Sequence, residues 1–216
     1  MKFKALAIDV DGVITKIHSA WRYVHECLNV QDKAKINAEL YYNKKISYYK
    51  WAELDIKLWD KISYDELIKL FEKVEIRDYC KEFFDFLRNK KIKVIAISGG
   101  LTPLLETLAK KLHFDHYVAN DLYFDNEGKL NGKFKINVTP TNKGKVLANI
   151  LYKLGINNRE SIGIGDSDFD IPMLKICGYK IAFNPKNEKL IKIADEVIYS
   201  DTFYELYEKI RKILNY

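Results

Sequence analysis

An apolar run near the start of the sequence ends in two carboxylates and a glycine, in the segment Asp9-Val10-Asp11-Gly12. Residues 3–8, which precede it, are typical of a buried strand. Side chains two residues apart on a strand lie on one face of it, so Asp9 and Asp11 are expected to be close together. Such carboxylates repel each other unless a cation or a shared proton offsets the repulsion. An ordinary turn also uses Asp and Gly, and this segment alone leaves both interpretations open.

The composition is that of a globular protein of modest size. The 216 residues are 48% hydrophobic and 31% charged, and the net charge of +6 comes from lysines that are scattered along the chain. This pattern favours a solvated surface over a nucleic-acid interface. No stretch approaches the ~20 apolar residues of a membrane span. Because Cys27, Cys80 and Cys177 are far apart in sequence, we expect buried free thiols and a cytoplasmic protein, with neither a disulfide framework nor a zinc site.

Short apolar runs alternate with helical patterns, which indicates an α/β fold with a mostly parallel central sheet flanked by helices. The predicted strands span residues 4–8, 93–97, 116–119, 161–164, 179–182 and 196–199. The predicted helices around them span residues 78–89, 103–112, 142–154, 171–177 and 202–214. A hairpin is predicted around residues 125–128.

The segment from residue 16 to residue 76 breaks this alternation. It has no convincing buried strand, and four helices are predicted at residues 19–28, 32–42, 47–60 and 63–74, the last with a capping box. A helical insert directly after the first strand predicts a cap over the carboxyl ends of the strands, where open α/β sheets bind ligands. The sequence therefore predicts a core of residues 1–15 and 77–216 and a small helical cap of residues 16–76.

Two later segments have the chemistry of an anion site. Ser98, Gly99 and Gly100 follow a predicted strand and precede a predicted helix, where free backbone N–H groups and a hydroxyl can bind an anion. Lys143 lies at the start of the predicted helix 142–154, next to the positive end of the helix dipole. A cation there indicates a partner anion. The alternatives are a solvated lysine at residue 143 and a plain strand-to-helix turn at residues 98–100.

A second cluster of carboxylates follows the predicted strand 161–164. Asp166, Asp168 and Asp170 offer the oxygen ligands that Mg²⁺ prefers. A calcium-binding EF-hand loop is excluded, because Ile171 occupies the required glycine position and Cys177 the position of the final glutamate.

Taken in order, these four segments resemble the four motifs of the haloacid dehalogenase superfamily of phosphotransferases, over nearly the whole chain. The helical insert resembles the C1 cap of that superfamily. Segments 98–100, 119–122 and 128–132 are similar to its phosphoserine phosphatase branch. The resemblance implies a Rossmann-like core with a small α-helical cap, and a phosphoric monoester hydrolase.

The resemblance also implies residue roles. Asp9 would attack phosphorus to form an aspartyl-phosphate, and Asp11 would protonate the leaving oxygen and then activate water. Charge on the phosphoryl group would be neutralised by Ser98, the Gly99 N–H and Lys143. The implied cofactor is Mg²⁺, and its implied ligands are the Asp9 carboxylate, the Asp11 backbone carbonyl and Asp166, supported by Asp170.

Two cap positions depart from the phosphoserine phosphatase pattern. That branch uses a cap glutamate for the substrate ammonium and a cap arginine for its carboxylate, and here His18 and Asp55 align with those positions. Phosphoserine is therefore not the expected substrate. On the helix 19–28, helical spacing places His18, Trp21, Arg22 and His25 on one face, which is either a specificity surface or a face packed against another cap helix.

The sequence thus predicts hydrolysis of a small phosphorylated metabolite other than phosphoserine, by a monomer or homodimer with no nucleic-acid or membrane partner. Two alternatives remain open. One is a phosphoserine phosphatase of serine biosynthesis, and the other is a non-catalytic domain that binds a protein partner.

Overall fold

The computed structural model describes residues 3–59 and 61–215, so the predicted segments that reach residues 1, 2, 60 and 216 extend beyond the described residues. The strands have the bounds β1 Ala5–Ile8, β2 Lys93–Leu101, β3 His116–Phe124, β4 Leu130–Lys135, β5 Ser161–Gly165, β6 Tyr179–Phe183 and β7 Glu196–Ile198. They form one sheet in the order β4-β3-β2-β1-β5-β6-β7. All neighbouring pairs are parallel except β3 and β4, which form the predicted hairpin.

Helices cover both faces of this sheet, which confirms the predicted α/β fold. Within the core they are α5 Cys80–Asn89, α6 Thr102–Ala109, α7 Lys143–Lys153, α8 Ile171–Leu174, α9 Glu188–Ile193 and α10 Tyr204–Asn215. Side chains on β1 alternate between two apolar layers, because Leu6 and Ile8 belong to one and Ala5 and Ala7 to the other. None of the helices in the described ranges has the length and apolar character needed to cross a membrane.

The insert between β1 and α5 is helical, as the sequence predicts. Its helices are α1 Ala20–Cys27, α2 Gln31–Tyr42, α3 Tyr48–Lys57 and α4 Tyr64–Glu72. The capping box of α4 is confirmed, because Ser63 and Glu66 each bond the other's backbone N–H. Val24, Ile56 and Phe71 from this insert join the same apolar cluster as β1. The division into a core and a cap as separate domains therefore stays a prediction.

Several elements differ from the prediction. Strand β2 continues to Leu101, so Ser98, Gly99 and Gly100 lie at the end of the strand and not at the start of a helix. Helix α9 was not predicted, because six residues are too few to show a helical period. Helix α8 ends at Leu174, three residues before Cys177.

The prediction of three buried thiols is correct for Cys80 and Cys177 and wrong for Cys27, which is exposed. Cys27 is the last residue of α1, and the inward positions of that helix are taken by Ala20, Val24 and His25.

We expect a thiol reagent to modify only Cys27 in the native protein. Burial raises the pKa of the Cys177 thiol to about 11 and also raises that of Cys80, and the thiolate is the reactive species. Titration with a chromogenic disulfide should show one reactive thiol per chain in buffer and three in denaturant. Rapid reaction of all the thiols without denaturant would contradict this burial.

Candidate active site

The predicted catalytic residues converge at the carboxyl ends of three neighbouring strands. Asp9 follows β1, Ser98 lies near the end of β2, and Asp166 follows β5. Strand β1 pairs with β2 on one side and with β5 on the other. The strand order changes direction here, which is where open α/β sheets bind ligands.

Lys143 links two of the carboxylates. It is the first residue of α7 and only 2% exposed, and its Nζ lies 2.7 Å from Asp9 Oδ1 and 2.7 Å from Asp170 Oδ1. Burial lowers the pKa of the Lys143 ammonium, but Asp170 and Asp9 outweigh this and leave the pKa raised. The ammonium therefore stays charged. Gly144 permits this approach of α7, because a Cβ there would lie 2.3 Å from the carbonyl oxygen of Pro172.

Asp9 and Asp11 have different surroundings. Burial and the nearby Asp170 carboxylate raise the pKa of Asp9, and Lys143 opposes this rise. Burial raises the pKa of Asp11 to about 6, although its Oδ2 accepts a 2.7 Å hydrogen bond from Ala20 N that lowers it. Asp11 Oδ1 is buried and has no hydrogen-bond partner among the described residues. Asp11 can therefore carry a proton near neutral pH, as an acid–base group must.

The carboxylates fit a divalent cation. One oxygen from each of Asp9, Asp166 and Asp170 lies within 4.8 Å of the others, and this all-oxygen donor set suits Mg²⁺. The side chain of Asp11 is not part of that group. Asp170 Oδ2 already accepts hydrogen bonds from Asp166 N, Ser167 N and the Ser167 hydroxyl, so Asp170 mainly shapes the loop.

The phosphate-binding residues proposed from sequence lie beside these acids. Ser98 is buried, and its Oγ accepts a 2.8 Å hydrogen bond from Gly100 N. The Gly99 carbonyl accepts hydrogen bonds from Trp21 Nε1 at 3.0 Å and from Asn120 Nδ2 at 2.8 Å. Trp21 thereby connects α1 of the insert directly to the end of β2.

The structure brings the predicted specificity residues into the same cavity as the predicted catalytic carboxylates. This cavity of about 710 Å³ is lined by His18, Trp21, Arg22, His25 and Asp55 together with Asp9, Ser98, Gly99, Lys143 and Asp166. The five cap residues do not form a uniform face, however. His18 and Arg22 are exposed, Trp21 is half-buried, and His25 and Asp55 are buried.

Helices α1 and α3 are joined inside the insert by a buried polar chain. Trp59 Nε1 donates to His25 Nδ1 at 2.9 Å, and His25 Nε2 lies 3.2 Å from Asp55 Oδ2. Asn37 Nδ2 donates to Asp55 Oδ1 at 2.9 Å.

Sequence reasoning missed Lys186 and Trp59, and it gave Asn120 no role beyond its place in the family-like segment 119–122. Lys186 Nζ lies 2.7 Å from Asp166 Oδ2, and its only sequence signal is a position shortly after β6, the strand next to β5. Asn120 accepts hydrogen bonds from the backbone N–H groups of residues 137 and 138, which lead to α7. No local pattern singles out Trp59, because it lies in the turn after α3 and its partner His25 lies on α1.

Comparison with known families decides the relationship. The family model of haloacid dehalogenase-like hydrolases matches residues 3–178. The chain belongs to this family. Asp9 and Asp166, the carboxylates that follow β1 and β5, both lie within the residues that this family model matches.

Similar proteins within the family include a phosphoserine phosphatase of Methanocaldococcus jannaschii, 26% identical over 86% of this chain and 87% of that protein. A phosphoserine phosphatase of Archaeoglobus fulgidus is 24% identical over 89% of this chain. The chain spans 55% of the length of that relative, and 66% of a probable phosphoserine phosphatase of Schizosaccharomyces pombe.

The fold is also that of solved phosphoserine phosphatase structures. A substrate-bound complex has a TM-score of 0.82 at 24% identity and covers 97% of this chain and 99% of its own. A phospho-aspartyl intermediate analogue has a TM-score of 0.81 at 24% identity, again over 97% and 99%.

We expect Lys143→Met to destabilise this hydrolase strongly. The change leaves the Asp9 and Asp170 carboxylates buried without their cation, which costs about 3–5 kcal/mol in the free energy of unfolding. Urea denaturation with a chelator present measures this cost. The control is Lys145→Met, because Lys145 is exposed on the same helix and should change stability by less than about 0.5 kcal/mol. Equal stability of the two variants would contradict the role of the Lys143 ion pairs.

Proposed function

We propose that this chain is a Mg²⁺-dependent phosphomonoester hydrolase that works through an aspartyl-phosphate on Asp9. The observation that carries the proposal is the contact of buried Lys143 with Asp9 and Asp170, at 2.7 Å each, inside a cavity large enough for a ligand. Lys143 orients the nucleophile and supplies positive charge where phosphoryl oxygens would bind.

The proposed reaction has two steps. An Asp9 carboxylate oxygen forms a bond to phosphorus while the bond from phosphorus to the oxygen of the leaving alcohol breaks. Asp11 donates its proton to this alcohol oxygen as it leaves. Asp11 then takes a proton from water, which attacks the aspartyl-phosphate, releases phosphate and restores Asp9. Ser98 and the Gly99 N–H would bind phosphoryl oxygens in both steps. Mg²⁺, held by the Asp9 and Asp166 carboxylates and the Asp11 carbonyl, would neutralise charge on the phosphoryl group.

Two substrates are candidates. The sequence favours a phosphate ester other than phosphoserine. The similar proteins are phosphoserine phosphatases, which supports phosphoserine as the substrate more strongly. The residues of the insert favour an ester other than phosphoserine. Buried Asp55 aligns with the arginine that binds the substrate carboxylate in the phosphoserine phosphatase branch, so the positive charge is replaced by a negative one. A non-catalytic role is disfavoured by the complete set of catalytic carboxylates. Oligomeric state and cellular location stay predictions.

We expect Asp9→Asn to lower phosphatase activity at least about a thousandfold, as is found when a covalent nucleophile is removed. The measurement is hydrolysis of para-nitrophenyl phosphate with Mg²⁺ and with a chelator. The chelator should abolish the activity of the unchanged protein. Asp85→Asn is the matched control, because the half-exposed side chain of Asp85 on α5 pairs with Lys81 outside the cavity. Substantial activity of Asp9→Asn would refute the nucleophile.

We expect Trp21→Phe to weaken binding of inorganic phosphate. The change keeps an aromatic ring against Trp59 but removes the N–H donor to the Gly99 carbonyl, and a lost hydrogen bond of ~1 kcal/mol corresponds to about a fivefold change. Competitive inhibition by phosphate measures the effect. Tyr152→Phe, on the exposed side of α7, is the control. An unchanged inhibition constant in Trp21→Phe would show that this contact does not position Ser98 and Gly99 for phosphate binding.

A further inference from the structure

Residues from helices α1, α2 and α3 of the insert line the cavity that holds the candidate catalytic residues. Trp21 and His25 are four residues apart on α1. On α3, Tyr48 and Trp51 are three residues apart and Trp51 and Asp55 are four apart, so each set lies on one side of its helix. All five line the cavity that also contains Asp9 and Lys143. A leaving group attached to the bound phosphate would therefore meet aromatic rings and the Asp55 carboxylate.

Hydrogen bonding fixes the charge of the groups around Asp55. An indole N–H can only donate, so the 2.9 Å contact with Trp59 makes His25 Nδ1 an acceptor. His25 is then a neutral imidazole with its proton on Nε2, facing Asp55 Oδ2 at 3.2 Å. The other donor to this carboxylate is the neutral amide of Asn37. Asp55 is 3% exposed and is held by neutral donors.

The cations along the cavity lie elsewhere. Among the described lining residues, Lys143 and Lys186 are at the catalytic end, where each forms an ion pair with a motif carboxylate. Arg22 and Lys35 are exposed, and Arg22 is paired with a glutamate one turn later on α1. A buried carboxylate without a buried counter-ion favours a ligand that brings positive charge.

We propose that the leaving alcohol of the substrate carries an ammonium group, free or methylated, and no carboxylate beside it. The ammonium group would sit against Asp55 and the rings of Trp21, Tyr48 and Trp51. Aromatic faces next to a carboxylate are the chemistry by which proteins recognise ammonium ligands. This inference rests on the proposed phosphatase activity, and it specifies the substrate class of that site.

The same geometry discriminates against phosphoserine. Phosphoserine carries an ammonium and a carboxylate on one carbon, so an ammonium at Asp55 brings a second negative charge close to it. Like charges in a partly dehydrated site repel strongly. The cavity volume of about 710 Å³ also leaves room for a methylated ammonium.

Two matched pairs of esters test the proposal in the unchanged protein. O-phosphoethanolamine and O-phosphoserine differ only in the carboxylate, and choline phosphate and its carbon isostere differ only in the positive charge. We expect kcat/KM to be at least about tenfold higher for the first member of each pair, since a desolvated contact between a cation and aromatic rings corresponds to about that factor or more.

A substitution then assigns the preference to Asp55. In Asp55→Asn, the ratio of kcat/KM for choline phosphate over its carbon isostere should fall toward one. The matched control is Asp65→Asn, the same chemical change at an exposed position of α4 outside the cavity, where the ratio should be unchanged. The ratio is measured within one variant, so partial loss of folded protein does not affect it.

The outcomes separate this inference from the proposed function. If para-nitrophenyl phosphate is hydrolysed and O-phosphoserine is preferred over O-phosphoethanolamine, the ammonium-only substrate is overturned and the phosphatase stands. The ammonium-only substrate is likewise overturned if the charged and neutral isosteres react equally. If no ester is hydrolysed with Mg²⁺, both the phosphatase and this inference are overturned. A preference for both cationic esters that is lost in Asp55→Asn supports the proposal.

Discussion

A buried ammonium shared by two carboxylates is the interaction on which the rest of the site depends. Lys143 bonds Asp9 across 134 residues of sequence and Asp170 across 27. These contacts require the end of β1, the loop after β5 and the start of α7 to meet at one point. The central position of β1 makes this possible. Because an uncompensated charge in this interior would be costly, the ion pairs tie the fold and the reactive geometry to each other.

Most of the core and of the catalytic set could be predicted from the sequence, because their signals are local. Buried strands between helices appear in the sequence as short apolar runs. A carboxylate directly after such a run lies at the carboxyl-end edge of the sheet, where ligands bind. Asp9, Ser98 and Asp166 each lie at the end of a predicted strand, and the structure places all three in one cavity. Lys143 was identifiable because a cation at a helix start is electrostatically unfavourable without an anion.

What the sequence could not predict depends on contacts between distant segments. The partnership of His25 with Asp55 joins two helices whose separate patterns show only a polar residue on each. Lys186 is one lysine among many until the end of β6 is placed next to β5. The exposure of Cys27 likewise follows from which side of α1 packs against its neighbours, and the spacing of the cysteines in the sequence does not show that side.

The hydrogen bond from Ala20 N to Asp11 makes one helix a shared support for two strand ends. Ala20 is the first residue of α1, and the next residue, Trp21, is bonded to the carbonyl of Gly99. The start of α1 is therefore anchored both to the segment after β1 and to the end of β2. A change in the position of this one helix turn would be transmitted to the Asp11 carboxylate and to the Gly99 carbonyl at the same time.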